Sequence, residues 1–192
     1  MLFPSLAALL ALTGLSNAAT LQSTRRATTS IPLYAYGSTA NTNGLPVFYA
    51  DGLAYIGQTG LDSTNGTQTN ITFTLDRSST TTPWTITANS TTVTFNETLD
   101  LYIVPTSGSF TQVGFSTNTS LPTGAVTTGF GWYGKSVAYA TNSSEYELSF
   151  WASNTTTTGV YGLYWNANTA VGNDNPTGAF PVAIKSTPPT AV

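Results

Sequence analysis

From Ile31 to Ile184 short apolar runs alternate with turn residues, and no segment in that span sustains a helical period. The runs are rich in Val, Ile, Thr, Tyr, Phe and Trp, residues whose branched or flat side chains suit a pleated, half-buried surface. They predict strands at about 31–36, 46–50, 53–57, 70–76, 83–88, 92–96, 99–104, 110–116, 125–133, 136–140, 146–151, 159–165 and 180–185. Within two of them the period of two is clean. Leu99, Leu101 and Ile103 share one face, with Asp100, Tyr102 and Val104 on the other; Tyr146, Leu148 and Phe150 oppose Glu145, Glu147, Ser149 and Trp151. The first set of each is expected in the core. Between Val47–Ala50 and Leu53–Gly57 stands Asp51-Gly52, the pair that supplies the positive φ angles of a two-residue hairpin, so Asp51 reads as a turn residue and not as an acid for catalysis. Short strands at regular spacing, with no linker or repeat dividing them, predict an all-β fold: a single-domain antiparallel β-sandwich, jelly-roll-like, over 31–186.

The ends read differently. Leu2 to Leu15 is an apolar stretch too short to span a bilayer, followed by the small-residue site Ser16-Asn17-Ala18-Ala19, which together predict a signal peptide over 1–19. Residues 20–30 read as a polar pro-segment or linker whose Arg25-Arg26 pair offers a processing site after Arg26. The polar, proline-bearing 187–192 reads as a flexible tail, and with no hydrophobic segment there a membrane anchor is not expected. The expected location is extracellular. In an exported chain, Asn65, Asn70, Asn89, Asn96, Asn118, Asn142 and Asn154 are glycosylation sequons, which favour turns and outward faces.

Composition narrows the chemistry. Charged residues are 7% of the chain, while 57 of its 192 residues are Ser or Thr, so the surface must be built from hydroxyls and amides. Net charge is −3; without Arg25 and Arg26 three basic residues face eight acidic ones, giving −5, the wrong sign for neutralising nucleic-acid phosphates. The chain has no His and no Cys, which removes zinc sites, Ser-His-Asp and Cys-His nucleophile systems and any disulfide framework. No metal and no cofactor is expected.

The acid-base candidates are Glu145 and Glu147, two positions apart on an expected strand and so about 6.5 Å apart on one face, a spacing that glycosidic chemistry permits, with Trp151 on the same face to hold a sugar. Two solvated Glu side chains need no such role, and the chain is read as a non-enzyme. Glu97 and Asp100 adjoin the sequon at Asn96, where a glycan would obstruct substrate. Lys135-Ser136 and Lys185-Ser186 are neighbours pointing to opposite faces, so neither forms a Ser-Lys dyad by itself. Gly172 to Gly178 is oxygen-rich but carries one carboxylate, Asp174, and reads as a turn before a calcium loop. The ligand-binding candidates are Trp132, Trp151 and Trp165, whose outward parity would form a platform against sugar rings.

Leu101-Tyr102-Ile103-Val104-Pro105-Thr106-Ser107-Gly108-Ser109-Phe110-Thr111-Gln112, continuing to Leu121-Pro122-Thr123-Gly124-Ala125-Val126, resembles a stretch of small fungal secreted cell-wall proteins of the phialide type: a strand, a Pro-Ser-Gly turn, a Phe-Thr-Gln strand and a Pro-Gly turn. The remainder, including the Phe48–Gly57 hairpin, departs from that pattern. The resemblance implies a wall-associated surface protein without known catalysis, and it carries over no functional residue. The function expected is a secreted glycoprotein with a structural or surface role, associated non-covalently with cell-wall polysaccharide. A lectin-like carbohydrate-binding domain is the first alternative, a glycoside hydrolase using the paired carboxylates the second, and an effector acting on another organism the third.

Overall fold

The computed structural model describes residues 28–38, 42–61, 66–168 and 176–190. The signal segment, Arg25-Arg26, Asn65 and most of the Gly172–Gly178 loop, Asp174 included, lie outside the described residues. Among those described, fifteen strands carry the fold, all paired antiparallel, and no helix is long and apolar enough to cross a membrane. In chain order they are β1 Thr28–Ile31, β2 Tyr34–Gly37, β3 Leu45–Ala50, β4 Leu53–Ile56, β5 Gln68–Asp76, β6 Thr85–Ala88, β7 Leu99–Tyr102, β8 Phe110–Gln112, β9 Gly114–Ser116, β10 Phe130–Tyr133, β11 Ser136–Ala140, β12 Tyr146–Glu147, β13 Phe150–Asn154, β14 Tyr161–Asn166 and β15 Ala179–Lys185.

The β3–β4 hairpin organises the rest. Its turn is Asp51-Gly52, both at positive φ (49° and 85°), as the Asp-Gly pair requires. The free edge of β3 is shared: Leu45 and Pro46 pair with β2, and Phe48 to Ala50 with β5. The free edge of β4 is shared likewise, Leu53 meeting β9 while Tyr55 and Ile56 meet β14. Pairing then runs β5–β6–β7–β9 around one side and β14–β13–β15–β2 around the other, so ten strands close on themselves. The remaining five lie at the margins: β1 on β5, β8 on β14, and β10, β11 and β12 joined to β15 through Ser136 and Lys185. All-β and antiparallel, the fold is a closed barrel with extra strands and not the jelly-roll-like sandwich expected. Local alternation reads the same in either, since a sheet closed on itself and two packed sheets both present one face to a core.

The inward side chains form one cluster that includes Val47, Phe73, Leu101, Phe115, Val137, Phe150, Leu163 and Ile184, with Trp84 and Trp165 buried among them. Between these side chains only about 10 Å³ of space remains, no more than one water needs. The barrel is filled and leaves no interior space for a ligand. On the opposite face of the hairpin Phe48 and Ala50 make a second, small cluster with Leu61 and Val160.

Several expected elements shift. The strand at 31–36 breaks at Pro32-Leu33 into β1 and β2, and β1 reaches back into the expected linker, where Thr28 pairs with Asp76. Residues 92–96 form no strand, although Val93 and Phe95 are half-buried. Of 125–133 only Phe130–Tyr133 is a strand. The run 146–151 is divided at Leu148-Ser149, which leaves Tyr146 and Leu148 exposed at 39% and 45% and only Phe150 of the expected inward trio in the core. The expected tail begins as packed chain: the Tyr36 hydroxyl donates to the Thr187 carbonyl at 2.8 Å, and Pro189 lies against Gly44, where a Cβ would come within 2.4 Å of the proline ring.

Candidate functional site

The outer wall around β14 gathers aromatic rings that the core does not use. On β14, Tyr161, Leu163 and Trp165 face inward, which sends Gly162 and Tyr164 to the opposite side; on β13, Phe150 and Ala152 face inward, which sends Trp151 and Ser153 outward. Trp151 pairs with Tyr164 on one side and with Pro181 of β15 on the other. Tyr164 in turn opposes Gln112 of β8. Phe110, on the same face of β8 as Gln112, stacks on Tyr164 with centroids 4.7 Å apart and planes at 12°, and meets Trp151 edge-on at 6.4 Å and 84°. These are the offset and edge-to-face arrangements that the ring quadrupole favours.

Gly162 makes room for this row. A Cβ there would stand 2.7 Å from Cε2 of Tyr164 and 3.3 Å from Nε2 of Gln112, so the Tyr164 ring lies down over the glycine. Gln112 is anchored by its Nε2, which donates to the Ala54 carbonyl at 3.1 Å. Next along the wall Tyr55 pairs with Gly162 and stacks on Phe48 at 5.6 Å and 26°. Burial, and after it the neighbouring Tyr55, pushes the Tyr164 hydroxyl above the ordinary tyrosine range. The row therefore combines half-buried ring faces with a phenol and an amide, and carries no charge of its own.

Of the three tryptophans expected on a platform, only Trp151 belongs to this face. Trp165 is fully buried, packed edge-on against Phe150 at 4.9 Å and Tyr139 at 5.8 Å, and is a core residue. Trp132 is half-buried and closed on both sides: its ring stacks on buried Trp84 at 5.7 Å, and the Arg77 guanidinium lies 4.5 Å from its centroid. The indole N–H groups of Trp84, Trp132 and Trp165 find no acceptor among the described residues, a cost that their packing must exceed. Phe110, Tyr164 and Tyr55 were missed in the sequence. The available signal was their placement on the face of Trp151, readable only once the parity of β14 and the pairing of β8 are known.

The carboxylates stand apart from this wall. Glu145 lies in the turn before β12, where Asn142 Nδ2 donates to its Oε2 at 2.6 Å and its own N–H donates to Asn142 Oδ1 at 3.0 Å. Glu147 follows in β12, opposite Tyr139 of β11, and Trp151 lies on β13, so with Glu145 in the turn the three do not share the strand face expected. Glu97 opens onto two surface grooves, of about 480 and 410 Å³, on either side of residues 93–98; Asn96, a sequon residue, lines both. Asp100 is on β7 between Thr85 and Ser116, and burial raises its carboxyl above the usual range. Among the described residues no three of His, Cys, Asp and Glu gather as a metal site would need. Asn70, Asn89, Asn96, Asn118, Asn142 and Asn154 are all exposed, whereas the buried Asn166 belongs to no sequon.

No family model matches this chain, and no curated protein or solved structure does.

Proposed function

We propose that the chain is a secreted surface glycoprotein that associates non-covalently with polysaccharide through the outer-wall row of Tyr55, Tyr164, Phe110 and Trp151. The observation carrying this reading is the row itself: aromatic rings on the solvent side of a filled barrel, held in fixed geometry by Gly162 and Gln112, with hydroxyl and amide partners beside them. Sugar rings present apolar C–H faces and a rim of hydroxyls, and such a surface meets both without charge. The filled interior argues against a ligand carried inside. The exposure of every described sequon asparagine and the apolar segment at 2–15 support export and glycosylation. The lectin-like reading draws on the same row and differs only in expecting recognition of a defined oligosaccharide.

The test is co-sedimentation of purified full-length protein with insoluble wall glycans, for the wild type and Trp151→Ala. Retention of the wild type, with loss of most of the bound fraction in the variant, is the expected result. A wild type that stays in the supernatant across cellulose, chitin, β-glucan, mannan and an insoluble acidic wall polysaccharide removes the proposal.

A further inference from the structure

Beyond Arg26 the chain has three basic residues, Arg77, Lys135 and Lys185. The fold brings two of them, Lys135 and Lys185, to one groove, while Arg77 lies over Trp132 on the opposite face. Ser136 pairs with Lys185, which sets Lys135, at the tip of the β10–β11 hairpin, beside it; Arg77, from the loop after β5, donates through Nη2 to Ser186 Oγ at 3.1 Å. Lys135 and Lys185 line a single open groove of about 610 Å³, whose other walls are Tyr36, Asn43, Thr187, Pro188, Pro189 and Thr190.

In a chain of net charge −3, setting two of its few cations side by side with no carboxylate among the described lining residues works against the fold, since like charges repel. None of the three is ion-paired with a carboxylate among the described residues; Lys185 instead stands 4.9 Å from the centroid of Tyr36, and Arg77 over Trp132. A groove lined by one sign of charge concentrates anions from solution. Its remaining lining gives the chemical class. Tyrosine and two proline rings offer flat apolar faces, and threonine and asparagine offer hydroxyl and amide groups, a set that fits sugar rings. It contains no long apolar side chain to enter a lipid layer, and two lysines on an acidic protein are too few for a nucleic-acid backbone.

The groove is also continuous with the aromatic row. Lys185 projects from the same side of β15 as Ala183 and Pro181, and Pro181 pairs with Trp151. Four residues of strand place the lysine about 13 Å from that pair. We infer that the groove of Lys135 and Lys185 binds the carboxylate or phosphate groups of an acidic polysaccharide whose chain lies along β15 toward Trp151. This rests on the reading of the outer wall as a glycan surface, and it names the polymer as anionic.

Full-length protein is titrated with polygalacturonate, with phosphomannan and with a neutral soluble β-glucan. The variants are Lys135→Gln/Lys185→Gln, Lys135→Arg/Lys185→Arg and Trp151→Ala. The expected result is that one acidic polymer binds at least about tenfold tighter than the β-glucan, that the glutamine pair or 0.5 M salt removes this advantage, and that the arginine pair keeps it, with an unchanged melting temperature for both pairs. Preference for polygalacturonate assigns carboxylate and preference for phosphomannan assigns phosphate; either supports the inference. Equal binding of acidic and neutral polymers, or acidic binding indifferent to the glutamine pair, overturns it while leaving the aromatic row in place. Acidic binding lost with the glutamine pair but untouched by Trp151→Ala overturns the path along β15 toward Trp151 and the outer-wall reading, and leaves the lysine pair as an anion site alone. Binding to none of the three overturns both.

Discussion

Phe110 and Tyr164 stack at 4.7 Å with their planes 12° from parallel, on two strands that pair through Gln112 and Tyr164. The stack depends on a residue with no side chain. Gly162, two positions before Tyr164, leaves the space its ring occupies, and a methyl group there would stand 2.7 Å from the ring. Gly162→Ala is therefore expected to lift Tyr164 off the wall and break the stack. The strand can accommodate an alanine, so the stability loss is modest, about 1 kcal/mol, equivalent to a fall in Tm of about 2–4 °C. Glycan retention should fall far more than stability does. A variant that binds as the wild type does would show that the flat Tyr164 ring is not part of the surface.

Trp151 and Trp165 separate binding from folding. Trp165 is fully buried and touches Phe150 and Tyr139, so Trp165→Ala leaves a large cavity and costs about 3–5 kcal/mol. Trp151 is half-buried on the outer wall, and Trp151→Ala should cost about 1 kcal/mol while removing the polysaccharide contact. Urea titrations of the two variants beside the wild type measure the difference. Similar losses in both would mean that Trp151 is as structural as Trp165.

The hairpin turn gives a prediction of pure backbone origin. Gly52 has φ of 85°, and a Cβ built on it meets nothing nearer than the Phe115 carbonyl at 3.7 Å. Space is available, so the cost of Gly52→Val is conformational, about 1–3 kcal/mol. Asp51 sits at φ of 49°, which Asn tolerates equally, and Asp51→Asn should change stability by less than about 0.5 kcal/mol. Because β3 and β4 each pair with strands on both sides of the barrel, Gly52→Val should also lower unfolding cooperativity, seen as a smaller denaturant slope.

What could be read in advance divides along a physical line. Where polar residues alternate with apolar ones, parity was visible: Leu101 and Ile103 are in the core as their pattern requires, and Trp151 is outward. In Tyr161-Gly162-Leu163-Tyr164-Trp165 both faces are covered by rings or apolar groups, the period of two leaves no trace, and Trp165 was placed on the wrong side. The pattern at 146–151 misled for a different reason. Its alternation is real, but the chain breaks at Leu148-Ser149 to pass from β11 to β14 and β15, and alternation does not report such a change of partner. Closure of the barrel and the meeting of Lys135 with Lys185 are long-range pairings, invisible without the fold.

Asp100 supplies the pH dependence. It lies on β7 between Thr85 and Ser116, and burial raises its carboxyl above the usual range of 3.8, with no cation to offset the effect. A carboxyl that binds its proton more tightly in the folded state than in the unfolded chain favours the fold when protonated. Its contribution is full below the unfolded value and is lost as pH rises through the raised folded value, so at neutral pH the ionised group weakens the fold. The group is largely solvated, which keeps the effect small. Asp100→Asn should raise Tm at pH 7 by about 1–2 °C, and the advantage over the wild type should shrink to nothing as pH falls toward 4. Parallel thermal melts of the two proteins from pH 7 to pH 4 measure this directly. A constant offset across the range would mean that the gain comes from packing or hydrogen bonding of the amide, and a lower Tm for the variant at pH 7 would mean that the ionised carboxylate is held by a favourable contact.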